Sequence, residues 1–220
     1  MGGGASSGVE TSWDVSSAPL ASPLPVLPIV NLVGHVEWAY GLAKDLLETT
    51  LPRRWAHTQG VADQAEILAP ILGADTDTLI AACLLHDIGY APDLVDSGMH
   101  QLDGARYLRD VAQADERLCR LVAYHSCADN EARQRDLFDV LAKEFDQERP
   151  DLVRALTYCD MTTSPDGRHL DVRDRLAEIH SRYGPEHVVS RSITDATPCI
   201  VSSVRVVEAA LSDVRRTGAG

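Results

Sequence analysis

The chain is poor in lysine: Lys44 and Lys143 are the only two among 220 residues, and no run of basic side chains occurs. The formal charge is −13. A surface this acidic repels nucleic-acid backbones and anionic lipid, which excludes a duplex-binding protein and a membrane-surface protein. Aromatic residues make up only 5%. A core must then rest on Leu, Val, Ile and Ala, which favours helices over a β-sandwich. No apolar run is long enough to span a bilayer. The stretch from Leu24 to Val33 is too short and is interrupted by Pro25 and Pro28. The first positive side chain is Lys44, so no signal peptide is expected. Five cysteines stand at Cys83, Cys119, Cys127, Cys159 and Cys199, an odd count without a CxxC spacing. That predicts buried free thiols in a reducing cytoplasm rather than a disulfide scaffold or zinc ribbon.

What is present is an ordinary globular mix, 45% hydrophobic and 24% charged, in a one-domain length. Residues 1–28 are rich in Gly, Ser, Ala and Pro and read as a flexible arm; 217–220 read as a short flexible tail. Between them, 29–216 carry one helical period after another. Helices are predicted over 32–49, 55–72, 76–86, 101–112, 115–125, 133–145, 151–160 and 171–183. Thr197–Pro198 reads as an N-cap and first-turn proline opening a last helix to about Arg215, and 186–192 alone has strand character. The predicted fold class is all-α, a single-domain helical bundle.

Several of these helices place chemistry on their apolar faces. His57 lies in line with Val61, Ala65 and Leu68. His86 and Asp87 close the apolar run Leu79–Leu85. His125 extends the stripe of Leu118, Leu121 and Val122, Asp160 extends Val153 and Leu156, and His100 precedes its helix. A lone core histidine is ordinarily just hydrogen-bonded. Two carboxylates on core faces, however, need cations. A shared metal ion held by imidazoles and carboxylates from separate helices meets that need.

The order His57, then His86-Asp87-Ile88-Gly89, then Asp160 resembles the HD-domain superfamily of metal-dependent phosphohydrolases, over about residues 50–165. The segments RRWAHTQGVADQA, AACLLHDIGY, MHQLDGARYLRD, VAYHS and LTYCDMTTSPDG carry the likeness. The resemblance implies an all-α fold, with His57, His86, Asp87 and Asp160 as ligands of a first metal. It implies His100 and His125 as ligands of a second metal in two-metal members, Asp87 then bridging. One or two divalent ions are expected, of Fe, Mn, Ni, Zn or Mg. Tyr90 stands where many members have lysine.

The implied activity is a metal-dependent phosphoric ester hydrolase, a phosphomonoesterase or phosphodiesterase. Its expected substrate is a small phosphorylated molecule, a nucleotide among the candidates, attacked at phosphorus by metal-bound hydroxide with Asp87 in the catalytic centre. Arg53 and Arg54, one turn before His57, are candidate phosphate-binding residues, against the alternative of solvated surface charges. Two other readings stand beside this one. The same six ligands suit a di-iron HD-domain oxygenase, and an HD scaffold can serve as a non-catalytic ligand-sensing module.

Overall fold

The computed structural model describes residues 1–2 and 35–218. The predicted arm over 1–28 lies, apart from its first two residues, outside the described residues. Among the described residues the chain is helical throughout, and its only β feature is a single bridge between Thr163 and His169. The all-α expectation holds.

The helix α1 spans His35–Leu47 and buries Ala39, Ala43 and Leu47. The next, α2, spans Pro52–Ile67 with Pro52 in its first turn, where the missing N–H costs nothing. Instead of continuing to Leu72 it breaks at Leu68, and a single turn, α3 (Ala69–Leu72), resumes with Pro70 near its start. The proline ring and its missing N–H explain the break. The chain then turns at Gly73, whose φ of +56° suits glycine. The helix α4 (Thr76–Leu85) is apolar nearly all round and is the central element. It packs against α1 and α2, and against two helices further along the chain, α6 (Glu116–Tyr124) and α9 (Pro150–Met161). Between α4 and α6 lies α5 (His100–Asp110).

The segment 133–145 is not one helix. It divides between α7 (Asp129–Gln134) and α8 (Phe138–Glu144), with Asp136 at φ +57° between them. The amphipathic period persists across a turn that only left-handed backbone can make. After α10 (Val172–Tyr183), Gly184 ends the helix as its sequence indicates. The expected strand character over 186–192 and the expected helix start at Thr197 are both overturned. A continuous helix, α11 (Val188–Thr217), runs through Pro198. Its burial of Ala196, Ile200, Val204, Val207 and Leu211 against α9, α7 and α10 outweighs the roughly 3 kcal/mol that an internal proline costs. It also carries Thr217, expected in the flexible tail, into the helix, two residues past the expected helix end near Arg215.

The cysteine expectation is corrected in part. Cys127 and Cys199 form a disulfide that joins the turn after α6 to α11 across 72 residues of sequence. Cys83, Cys119 and Cys159 are free and buried, as expected. An odd count leaves room for one pair, and which thiols meet is a tertiary fact. Closing so long a loop stabilises by about 2–4 kcal/mol. Cys199→Ser is therefore expected to lower the midpoint of thermal unfolding by several degrees. A melt unchanged in the variant, or unchanged by dithiothreitol in the parent, would show that the bond contributes nothing.

Candidate metal centre

The apolar helix α4 ends by presenting His86, and the following turn presents Asp87. Gly89 makes the next step possible. A Cβ there would lie 1.9 Å from the His100 carbonyl oxygen and 2.7 Å from the Gly104 amide nitrogen, so backbone meets backbone. This approach brings the start of α5, and with it His100, against the turn. His57 comes from α2, His125 from the end of α6 and Asp160 from the last turn of α9.

All six expected ligands converge. His57, His86 and Asp160 form one group whose ligand atoms all lie within 4.8 Å of one another, and Asp87, His100 and His125 form a second. Asp87 faces both groups. One carboxylate oxygen lies 3.3 Å from His86 Nε2 and 3.8 Å from His57 Nε2, and the other lies 3.4 Å from His100 Nε2. The four rings stand edge to face in the order His57, His86, His125, His100, with centroids 5.1–5.5 Å apart.

The tautomers show what this arrangement suits. His86 Nδ1 donates to the Cys83 carbonyl at 2.6 Å, His125 Nδ1 to Val122 at 2.7 Å and His57 Nδ1 to Ser164 at 3.0 Å. A neutral imidazole that donates from Nδ1 keeps a bare lone pair on Nε2. All three Nε2 atoms turn toward the two carboxylates, and His57 Nε2 lies 3.1 Å from Asp160 Oδ1. His86 Nε2 is fully buried and has no hydrogen-bond partner. His100 Nε2 and His125 Nε2 face each other at 3.2 Å. Imidazole nitrogens and carboxylate oxygens gathered this closely in a dry interior suit a cation between them, and backbone-anchored Nδ1–H groups are the usual support of metal-binding histidines. The residues fit divalent metal.

The electrostatics agree. Burial works against the Asp87 charge, yet Arg54, His86 and His100 hold its carboxyl well below the usual range. Burial likewise opposes the Asp160 charge, and His57, His86 and Arg175 overcome it. Burial drives His100 well below its ordinary value against the pull of Asp87, with His125 and Arg54 adding to it. Burial, with His86 nearby, also lowers His125. Burial opposes the His86 proton too, but there Asp87 and Asp160 prevail and the pKa rises. Ionised Asp87 and Asp160 beside His100 and His125, both pushed toward the neutral form, match the protonation state that metal binding requires, and the rise at His86 reflects two carboxylates that a bound cation would balance instead.

Of the two arginines read as phosphate contacts, only Arg54 reaches the centre. It pairs with Asp87 and lies 3.6 Å over the Tyr90 ring, which in turn stacks on His100. Arg53 turns outward to Asp166 at 2.9 Å and is largely exposed. Three supporting features escaped the sequence reading. Ser126 donates to Asp160 from a residue with φ +51°. Its position next to His125 was the only signal. Arg175 stands 3.7 Å from Asp160 and is 5% exposed. An arginine in line with Val172, Leu176 and Ile179 on an apolar stripe was its signal. The Asp166-Gly167 turn is more than a connection. Gly167, at φ +77°, sits where a Cβ would meet the Ala56 carbonyl oxygen at 2.3 Å. That close approach holds the Ser164 carbonyl against His57.

The described residues thus form a helical domain with two adjoining histidine–carboxylate clusters, built around an HD pair at the end of a buried helix and suited to divalent metal. Residues 54–163, half of the chain, match the family model described as HD domain, and the protein belongs to the HD-domain family. That superfamily consists mostly of metal-dependent hydrolases, and its domains bind divalent metals. The chain is similar to a Ribonuclease Y of Rubrobacter xylanophilus, 33% identical over 118 residues, which are 54% of this chain and 21% of that protein. It is also similar to a Ribonuclease Y of Fervidobacterium nodosum, 32% identical over 97 residues, 44% of this chain and 17% of that protein. The chain thus aligns with about a fifth of the length of these curated relatives. No solved structure matches it. Among the described residues no single helix is long and apolar enough to cross a membrane.

Proposed function

We propose that the protein is a phosphohydrolase that uses two divalent ions to cleave a phosphoester of a small phosphorylated molecule. The observation that carries this reading is the convergence of four imidazoles and two ionised carboxylates beside a cavity. His57, His86 and Asp160 would hold one ion and His100 and His125 the other, with Asp87 within reach of both groups. Bound divalent ions supply the Lewis acidity that polarises a phosphoryl oxygen and brings the pKa of water toward neutrality. The protein's own groups do the rest. The backbone carbonyls of Cys83, Val122 and Ser164 lock three imidazoles in the ligating tautomer. Ser126 fixes one oxygen of Asp160. Arg54, anchored by Asp87 and Tyr90, lines the same cavity as Asp87, His100, His125 and Asp160, where it can hold a phosphate oxygen. The name of the two relatives is that of an enzyme acting on RNA, a phosphodiester, which favours phosphodiester over monoester substrates.

The test is elemental analysis of freshly purified protein together with turnover of bis(4-nitrophenyl) phosphate, with and without oxygen. About two ions per chain and oxygen-independent release of nitrophenol are expected. Exhaustive chelation is expected to abolish turnover and to lower the unfolding midpoint, because an ion that binds only the folded state stabilises it. Two iron ions with turnover of an organic substrate only in the presence of oxygen would assign the site to the oxygenase branch instead. Full metal loading without turnover of any phosphoester would leave the ligand-sensing reading.

A further inference from the structure

Beside the metal centre lies a second cavity, of about 310 Å³. Its walls include Arg53, Arg54, His57, Arg175 and Arg182, and no carboxylate lines it. In a chain of net charge −13, four arginines around one cavity are a marked local reversal. Three of them, Arg54, Arg175 and Arg182, also line the cavity that holds Asp87 and Asp160, so the two spaces share one basic wall.

The arginines on α10 are held for a purpose that packing alone does not explain. Glu178 binds Arg175 at 2.6 Å and Arg182 at 3.3 Å, which ties the two guanidiniums together one helical turn to either side of it. Arg175 is nearly fully buried, and its Nε has no partner. A buried guanidinium donor left unpaired is costly unless something else accepts from it. With Asp166 taken up by Arg53, and Asp87 and Asp160 turned to divalent ions, Glu178 is the carboxylate left to balance Arg175 and Arg182. The helix α10 lies beyond the residues that match the family model.

We propose that Arg175 and Arg182, together with Arg54, form a second anion subsite next to the metal centre, which selects substrates bearing a second phosphate group. This rests on the phosphohydrolase reading above, with the scissile phosphate at the metals. Guanidinium forks suit phosphate oxygens, and two or more of them can bind one phosphate dianion by several charge-assisted hydrogen bonds.

The test is titration calorimetry of the metal-loaded protein with three non-hydrolysable probes: methylphosphonate, phosphonoacetate and methylenediphosphonate. Arg182 is 32% exposed in its side chain, so Arg182→Gln is expected to fold with an unchanged melt and metal content. The wild type should bind the diphosphonate at least tenfold more tightly than methylphosphonate, with phosphonoacetate close to the latter. Arg182→Gln should remove most of that preference while changing methylphosphonate affinity less than twofold. A diphosphonate preference unaltered in Arg182→Gln would overturn the subsite, since the ions alone would then account for it. Phosphonoacetate binding as tightly as the diphosphonate would overturn the assignment to phosphate. Metal content and bis(4-nitrophenyl) phosphate turnover on the same preparations report separately on the phosphohydrolase reading. A wild type that holds metal and turns over the diester, yet shows no effect of Arg182→Gln, removes the subsite and leaves that reading intact.

Discussion

Asp87→Ala is expected to empty both halves of the centre at once. Asp87 has carboxylate oxygens within 4 Å of ligand nitrogens from both groups, His57 and His86 in one and His100 in the other. Loss of a residue that merely supports a metal ligand typically costs 10–100-fold, so loss of a shared ligand should reduce phosphoester turnover by more than about 100-fold. Metal content should fall from about two ions per chain to less than one. The substitution also strands Arg54, whose buried charge is balanced by Asp87. Removing one member of a buried pair is destabilising, by up to about 3–5 kcal/mol, so the melt of the variant must be recorded beside its metal content. A folded Asp87→Ala protein that still carries two ions would refute the shared-ligand arrangement.

Gly89→Ala should have the largest effect of any single methyl group. The added carbon would meet the His100 carbonyl at 1.9 Å, and neither a Cβ fixed to the chain nor a backbone carbonyl can rotate away. The turn and the start of α5 must separate. A cost of about 3 kcal/mol or more is expected, at the upper end for overpacking. Because the separation moves His100 away from Asp87, the second cluster should lose its ion even where the protein still folds. Gly104→Ala is the matched comparison. Its nearest neighbour is the Gly89 amide nitrogen at 3.1 Å, a contact that a few tenths of an ångström relieve. Helix propensity returns up to about 1 kcal/mol at that position. Thermal melts and metal content of the two variants should therefore differ sharply. Equal behaviour would mean that the approach of the turn to α5 does not matter.

Five of the six candidate ligands were legible because each sits on a local pattern, while His100, just before its helix, was singled out by the family resemblance. His57, His125 and Asp160 continue apolar stripes of period 3.6, and His86-Asp87 ends an apolar run, so their inward direction follows from the helix alone. The break at Leu68 had a local signal in Pro70 that the period reading passed over, and the division of 133–145 was not legible, because hydrophobic period is blind to a turn that keeps the same face buried. The continuity of α11 through Pro198 was misread for a related reason. Local propensity opposes it, and only packing against α7, α9 and α10 decides it.

The sequence by itself determined the helical class, the identity of the imidazoles and carboxylates and the face each occupies, since these depend on spacing within single helices. The tertiary structure decided everything that depends on distance between helices. It set the grouping of the ligands into two clusters, the pairing of Cys127 with Cys199, the outward turn of Arg53 and the placement of Arg175 and Arg182 beside the centre. Those relations join residues tens of positions apart, and no local rule of period, cap or turn reaches across that separation.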